Sequence, residues 1–549
     1  MAINYAKHFN RRATPQSQPI PGSSQVRNSA GGFSWEVDDW VRLDRFLILG
    51  AEGGTYYIAE RDLVKQNHDA IVRCIQADGV RAVNRIVEIS DAGRAPKNDP
   101  AIFVLALVVT HGDAQAKAHA FAKLNKVCRI GTHLLHFAEY VNAMRGWGRG
   151  LRNAVGRWYV GRDADELAHQ AVKYQQRDGW SHSDLLRLAH PKAPTPAHDA
   201  VFRWMLAGAD SLGEREVKRK VAGAERIAKY GAVGELPKFI EAFERAKRAA
   251  SADEIVKLIA ELELPREAIP TQWLNEATVW EALLARMPMT AMIRNLGKMT
   301  SLGLIAPMSD AKRLVVQKLG DVKALKRARI HPLAVLVAQK IYAQGHGDKG
   351  SLKWSPVPAI VDALNDAFYA TFQNVVPCNR PILLALDVSG SMGGSMIAGS
   401  CISAREASAA MALITAATEP EYHIVAFSGG MVSLNISPKS RLDAVVQKVS
   451  ELPFDRTDCA QPMLYASREG IRVSAFVTYT DSETWAGNIH PAQALRQYRD
   501  EFVGDAKAVV VGMTSNGFTL ADPNDRGMLD VVGFDTSVPA VISDFVRAA

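Results

Sequence analysis

Cysteine is scarce in this 549-residue chain, and long apolar runs are absent. Its five cysteines, Cys74, Cys128, Cys378, Cys401 and Cys459, are odd in number, far apart and without any CxxC pair. That pattern excludes a disulfide framework and a cysteine zinc site, and it points to a reducing, intracellular compartment. The longest apolar run, Ala101–Val109, is far shorter than the roughly 20 residues that span a bilayer. The first forty residues, rich in Pro, Gln, Ser, Asn and Gly, lack the charged, apolar and small-residue succession of a secretory leader. A soluble, cytoplasmic, monomeric protein with no membrane role is expected.

What is present is the composition of an ordinary globular chain, 48% hydrophobic and 22% charged, long enough for two or more buried cores. The net charge of +7 is unevenly spread. Residues 376–549 carry 13 Lys and Arg against 19 Asp and Glu, which leaves 52 against 39 for the rest of the chain. A basic first part joined to an acidic second part suggests a polyanion-binding module followed by a part of different purpose; charge alone leaves a merely solvated basic surface as the alternative.

Periodicity supports the same division. Residues 1–30 read as a flexible lead, punctuated by Pro15, Pro19, Pro21 and Gly22. Residues 31–375 form a helical module: from Asp39 to Phe372 apolar residues recur at three- and four-residue spacing, with short helices such as Glu60–Ala77, Val80–Ser90, Ala101–Val109 and Ala114–Val127. The succession resembles a HEAT-like helix-pair repeat, with an irregular all-helical domain as the alternative. Residues 376–549 alternate short apolar strands (Pro381–Leu386, Tyr422–Phe427, Val473–Tyr479, Ala508–Val511, Leu529–Phe534) with helices. That alternation predicts a mostly parallel, doubly wound α/β sheet with ligands at the carboxyl ends of its strands.

At the end of the first of these strands stands Asp387-Val388-Ser389-Gly390-Ser391. A carboxylate and two hydroxyls spaced two residues apart in a tight turn can face one point, a mixture that suits Mg²⁺, with Mn²⁺ able to substitute. Thr457, ahead of a helix, and Asp481, at the end of a buried strand, are placed to complete an octahedral oxygen site. The plain structural alternative has Asp387 capping a helix and the serines satisfying a turn. Gly394–Ser400 has the glycine spacing of a phosphate-binding loop but Ser400 where the lysine belongs, and the serines lack an elbow motif or a histidine partner. The five oxygen residues resemble the metal-ion-dependent adhesion site of von Willebrand factor A domains, which implies one Mg²⁺ or Mn²⁺ per chain and a coordination position left for a partner's acidic side chain.

Within the helical module, Lys173-Tyr174-Gln175-Gln176-Arg177-Asp178-Gly179-Trp180-Ser181-His182-Ser183-Asp184-Leu185-Leu186-Arg187 combines cations, amides and aromatic faces suited to RNA. Its Ser181–Asp184 stretch also reads as a helix start with Leu185 and Leu186 as core. The stretch from Asn28 to Tyr57, with Glu36-Val37-Asp38-Asp39-Trp40 and Gly53-Gly54-Thr55-Tyr56-Tyr57, resembles the opening of the TROVE module of the Ro autoantigen family. Gly146–Arg152, Lys173–His190, Arg294–Thr300 and Arg329–Pro332 are similar to that family as well.

The resemblance implies a ring of helical repeats closed with the help of the A domain. It further implies Y RNA bound on the outer surface and single-stranded 3′ ends of misfolded or structured RNAs taken into a basic central hole. Bacterial relatives, called Rsr, are linked through Y RNA to an exoribonuclease, polynucleotide phosphorylase above all. Carried over residue by residue, the Y RNA contacts fall on Lys173, Arg177, His182 and Arg187, with Gln175 and Ser183 standing where many relatives are basic. Arg294, Lys298, Lys312 and Arg313, in the densest basic stretch, are the candidates for the hole. No catalytic residue is expected, since the ligand set is hydroxyl-rich rather than the carboxylate cluster of two-metal phosphodiester cleavage. The rival readings are a protein-interaction module that binds an acidic partner through its metal, and a metal-dependent RNA hydrolase.

Overall fold

The computed structural model describes residues 13–548 apart from 209–214, 222–223, 231–235, 348–350, 373–375, 435, 438–439, 454 and 536. The expected domain boundary at 375/376 and the first twelve residues of the lead therefore touch or lie outside the described residues. From Asp39–Leu49 to Pro358–Ala370 the chain is predominantly helical. The first helix starts where the Asp38 carboxylate accepts the Val41 N–H and stops at Gly50, whose φ of 69° few other residues adopt readily. Residues Glu60–Ala92 run as one helix broken at Asp78 (φ −158°, ψ 86°), where the two expected helices meet. Asp78 accepts the Arg81 N–H and so caps the second half, and Gly79 is required there because a Cβ would lie 2.5 Å from the Ala116 methyl. The apolar run Ala101–Val109 lies within a buried helix, Asp99–His111, surrounded by its neighbours. Among the described residues no helix is long and apolar enough to cross a membrane.

The helical reading of 39–372 needs one correction. Strands Arg215–Val221 and Ala224–Tyr230 pair as an antiparallel hairpin, and a two-residue ribbon joins Gln176–Arg177 to Trp180–Ser181 through Asp178 and Gly179, both at positive φ. Alternating small and charged residues in the hairpin mimic a polar helix face, whereas its pairing is decided across the turn.

The second module holds a six-stranded sheet of β1 (Ile382–Asp387), β2 (Tyr422–Phe427), β3 (Met431–Ser433), β4 (Ala475–Thr480), β5 (Lys507–Gly512) and β6 (Met528–Val532) in the order β6-β5-β4-β1-β2-β3, parallel except for β3 at the edge. Strand alternation sorts the faces. Ile382, Leu384 and Leu386 join the core formed with helices Ala404–Thr418, Leu442–Ser450 and Ser537–Arg547, whereas Leu383, Ala385 and Phe476 pack with Gln461–Glu469 and Pro491–Glu501. The centre of the sheet, β1 beside β4, is buried on both faces and delivers Asp387 and Asp481 to one rim.

The expected flexible lead is also corrected for the part described. Gln16 donates to Asp458 (2.6 Å) and to the Ile489 carbonyl (2.8 Å), Asn28 donates to the Thr484 carbonyl (2.6 Å), and Phe33–Glu36 pairs antiparallel with Phe518–Thr519. Gly32 crosses so close to the Thr484 carbonyl that any Cβ would collide with it. Prolines and polar side chains read as loop, but here the segment finds partners more than 400 residues away.

Two arginines fasten the modules together. Arg45, 0% exposed, donates to both Asp530 oxygens (2.7 and 2.8 Å) and to the Asn516 and Phe518 carbonyls. Arg94 donates to the Val532 carbonyl (2.9 Å) and lies 3.4 Å from Asp535, while its own carbonyl meets His331 Nε2 (3.2 Å). Arg329 donates to the Asp91 carbonyl (3.1 Å), so the late helices of the first module close against its early ones. Removing one partner of a buried ion pair strands the other charge, so Arg45→Ala should cost about 3–5 kcal/mol in urea denaturation; an unchanged midpoint would show that the pair does not hold the modules together.

Candidate metal centre and nucleic-acid interface

The rim residues are held by their own loops. Asp387 is fully buried; one carboxylate oxygen accepts the Ser389 N–H (2.9 Å) and the other accepts the Thr480 hydroxyl (2.7 Å). The Ser389 and Ser391 hydroxyls lie 3.0 Å apart. Arg405 donates to the Val388 and Ser389 carbonyls and pins the backbone of this turn from behind. Asp481 accepts the Glu483 N–H (3.0 Å) on one oxygen, and its other oxygen, Oδ2, is buried with no hydrogen-bond partner. Thr457 is buried, and its carbonyl accepts the Trp485 and Ala486 N–H groups (3.2 and 3.0 Å), which ties its loop to that of Asp481. The five predicted oxygen residues thus lie on three loops joined by hydrogen bonds.

Two neighbours escaped the sequence reading. Glu483, two residues beyond Asp481, is buried and accepts from the Ser29 and Ala30 N–H groups and from Asn516. A third carboxylate so close to Asp481 in sequence was a readable signal. Tyr57, from the helical module, has its phenol within hydrogen-bonding reach of Ser391, and burial followed by the nearby Asp481 charge pushes it up to about 12. No local pattern around Tyr57 could have placed it there.

Burial raises Asp387 and Glu483 above the usual carboxylate range. It pushes Asp481 up to about 8, with Asp387 and Glu483 adding like-charge repulsion. Among the described residues no three His, Cys, Asp or Glu side chains are grouped to hold a metal. The donor set here is instead carboxylate plus hydroxyl, with an unmet oxygen and surplus negative charge, which is the chemistry a hard divalent cation requires.

The RNA candidates divide. Lys173, in the last turn of Ala164–Lys173, lies 5.4 Å from the Tyr174 ring centre. Arg177, on the exposed ribbon, donates to His136 Nε2 (3.1 Å) and approaches Asp178 at 3.5 Å. Arg187 is exposed near the end of His182–Ala189. His182 does not belong with them. It is 3% exposed, pairs through Nδ1 with the Tyr159 hydroxyl (2.8 Å) and stacks on Trp158, and burial drives it down to about 4, leaving a neutral core histidine. The physical reason is its register: with Ser181 and Asp184 forming a capping box, His182 shares a face with Leu185, Leu186 and Ala189 and points inward.

The four candidates for the hole divide as well. A cavity of about 720 Å³ is bounded by the helical module and by Ala398 and Ser400 of the second module. Arg294 and Lys298 line it, as do Lys97 and Arg266, and among the described residues no carboxylate does. Lys298 donates to Asn275 (3.0 Å) at its wall. Lys312 and Arg313 are outside the lining; Arg313 pairs with Asp310 on its own helix, which turns it to solvent.

A family model described as the TROVE domain matches residues 26–341, and one described as the Ro60 vWA domain matches residues 381–546. The chain belongs to the Ro60 family. It is 41% identical over 547 residues to the RNA-binding protein RO60 of Deinococcus radiodurans, covering 99% of each chain. It is 36% identical over 597 residues to the RNA-binding protein RO60 of Caenorhabditis elegans, covering 97% of this chain and 92% of that one. The crystal structure of the Deinococcus radiodurans RO (RSR) protein superimposes with a TM-score of 0.69 over 93% of this chain and 99% of that chain, at 41% identity. The family, the helical first module and the A-domain second module are those expected from the sequence.

Asp481 gives this rim a pH signature. Its carboxyl is raised from 3.8 to about 8, so between these values the folded chain holds a proton that the unfolded chain has released, and stability falls as pH rises through that window. In chelator, Asp481→Asn should flatten that fall and exceed the wild type in urea midpoint at pH 8; an identical pH slope in the two proteins would show that Asp481 is not the group responsible.

Proposed function

We propose that this chain is a noncatalytic RNA-binding protein of the Ro type, cytoplasmic, with two separate RNA seats and a divalent-cation centre in its A domain. The observation that carries the reading is the cavity bounded by Lys97, Arg266, Arg294 and Lys298 with no carboxylate among its described lining residues, in a chain 41% identical over nearly its whole length to a protein named for RNA binding. Phosphates neutralised by such cations release counterions, and apolar walls accept bases, so a single strand suits the cavity. Single-stranded 3′ ends of misfolded or structured RNAs are the proposed occupants.

The second seat is the outer segment with Lys173, Arg177 and Arg187, for the stem of a Y RNA, which is too wide for a space of this size. His182 supports that surface from beneath. Arg187 donates to the Leu206 carbonyl at 3.4 Å, a long bond to a neutral acceptor, so its charge remains available to phosphate. Bound RNAs would be presented to an exoribonuclease such as polynucleotide phosphorylase. The A-domain residues Asp387, Ser389, Ser391, Thr457 and Asp481 would hold Mg²⁺ or Mn²⁺, supported by the orphaned Asp481 oxygen. A hydroxyl-rich set around one cation lacks the paired-metal clamp for phosphodiester cleavage.

Titration of each RNA class over several salt concentrations tests the two seats. Replacing Lys173, Arg177 and Arg187 by Ala should weaken Y RNA and reduce its salt slope by about 1 for each phosphate no longer neutralised, with a single-stranded 3′ tail bound as before; Arg294→Ala with Lys298→Ala should do the reverse. Equal losses for both RNAs in both variants would mean one shared seat. Purified protein in Mg²⁺ should leave labelled single strands intact over hours, and cleavage that follows the protein through purification and disappears in Asp481→Ala would instead make it a hydrolase.

A further inference from the structure

The segment Ala51–Ile58 of the helical module lies against the A-domain turn that follows Asp387, and four contacts hold it there. The Tyr56 N–H donates to the Ser395 hydroxyl (3.1 Å). The Tyr56 ring occupies the space beside Gly394, where a Cβ would come within 2.8 Å of it, and Glu52 fills the space beside Gly399. Tyr57, half-buried between them, carries its phenol to Ser391. The segment keeps its own shape through the Thr55 N–H to Ile58 carbonyl bond (2.8 Å), and Lys97 pairs with Glu52.

We infer that Tyr57 is a member of the metal centre contributed across the module interface, so that a cation bound by the A domain staples the helical module to it. A serine hydroxyl that gives a lone pair to a cation must point its proton elsewhere, and that proton needs an acceptor to keep the oxygen oriented and electron-rich. Ser391 has three neighbours for this purpose. Ser389 (3.0 Å) and the Asp481 carboxylate are themselves proposed ligands with lone pairs committed; the third is the Tyr57 phenol oxygen. Tyr57 is therefore the one acceptor of the three that lies outside the ligand set. Its position also covers Ser391 from the helical side, so an external carboxylate approaching by that side has to displace the segment first. Cation occupancy and docking of residues 51–58 then stabilise one another by the same free energy.

This inference rests on the A domain binding a divalent cation, and the experiment separates the two claims. Calorimetry with Mn²⁺ on the full chain compares wild type with Tyr57→Phe, which keeps the ring and removes the acceptor, and with Gly394→Ala, whose methyl pushes Tyr56 away while leaving every proposed ligand in place. Amide exchange of residues 51–58 is followed with and without saturating Mg²⁺. Both variants should bind Mn²⁺ about tenfold to a hundredfold more weakly, the range for loss of an outer-shell partner. Exchange in 51–58 should slow with Mg²⁺ in wild type and stay unchanged in Asp387→Ala. Normal Mn²⁺ affinity in Tyr57→Phe together with exchange indifferent to Mg²⁺ would overturn the staple while leaving the metal centre standing. Wild-type protein that takes up no Mn²⁺ would overturn both.

Discussion

Everything in this molecule turns on what it costs to bury a guanidinium. Arg45 leaves water, and Arg94 most of it, only because the second module supplies their acceptors: Asp530 and two carbonyls for the one, the Val532 carbonyl and Asp535 for the other. Neither arginine is satisfied by its own module, so the buried junction holds only while both modules contribute to it. Arg94 adds a third participant, since its carbonyl meets His331 from the late helices. The early helices, the late helices and the A domain therefore share one junction, and the adjoining Pro96 and Lys97 face the cavity from it. The cavity is a consequence of that meeting, walled by parts of the chain that local contacts alone would never bring together.

The two candidate sites are electrostatic opposites built by the same means. At the sheet rim, three buried carboxylates crowd into low dielectric, and the nearby guanidinium, Arg405, donates to the Val388 and Ser389 carbonyls and offsets part of the Asp387 charge. At the cavity, four cations face a common space with no carboxylate among the described lining residues, and Lys97 reaches out of it to Glu52. Each arrangement is costly for an empty protein and becomes favourable when charge of the opposite sign arrives. The acidic and basic halves visible in the raw composition thus condense, in three dimensions, to one small region rich in carboxylates and one rich in cations.

How much of this could be read from the sequence depended on the range of the interaction concerned. The Asp387 turn, the break at Asp78–Gly79 and the alternating strands are decided within a few residues, and sequence pattern places them correctly. His182 was also locally legible, because its spacing to Leu185, Leu186 and Ala189 is that of a buried helix face; attention to its chemistry obscured its register. The direction of Arg313 was settled by an aspartate three residues earlier. Tyr57 and the Gln16 contacts could not be seen at all, since their partners lie hundreds of positions away and carry no pattern of their own. Pro-rich and polar composition says that a segment will not nucleate structure, but it does not say that none will be imposed.

The pairing of Phe33–Glu36 with Phe518–Thr519 sets a timetable for synthesis. A ribosome adding about 5–20 residues per second takes on the order of 25–100 s to travel from one strand to the other. Throughout that interval the first strand has only Val26–Arg27 beside it and one edge left open, and the Arg45 guanidinium lacks Asp530. The helices of the first module are able to condense as they emerge, because their contacts are mostly between sequence neighbours. Closure has to wait for the last hundred residues, so a nascent chain stalled before them presents the cell with a folded but unsealed shell.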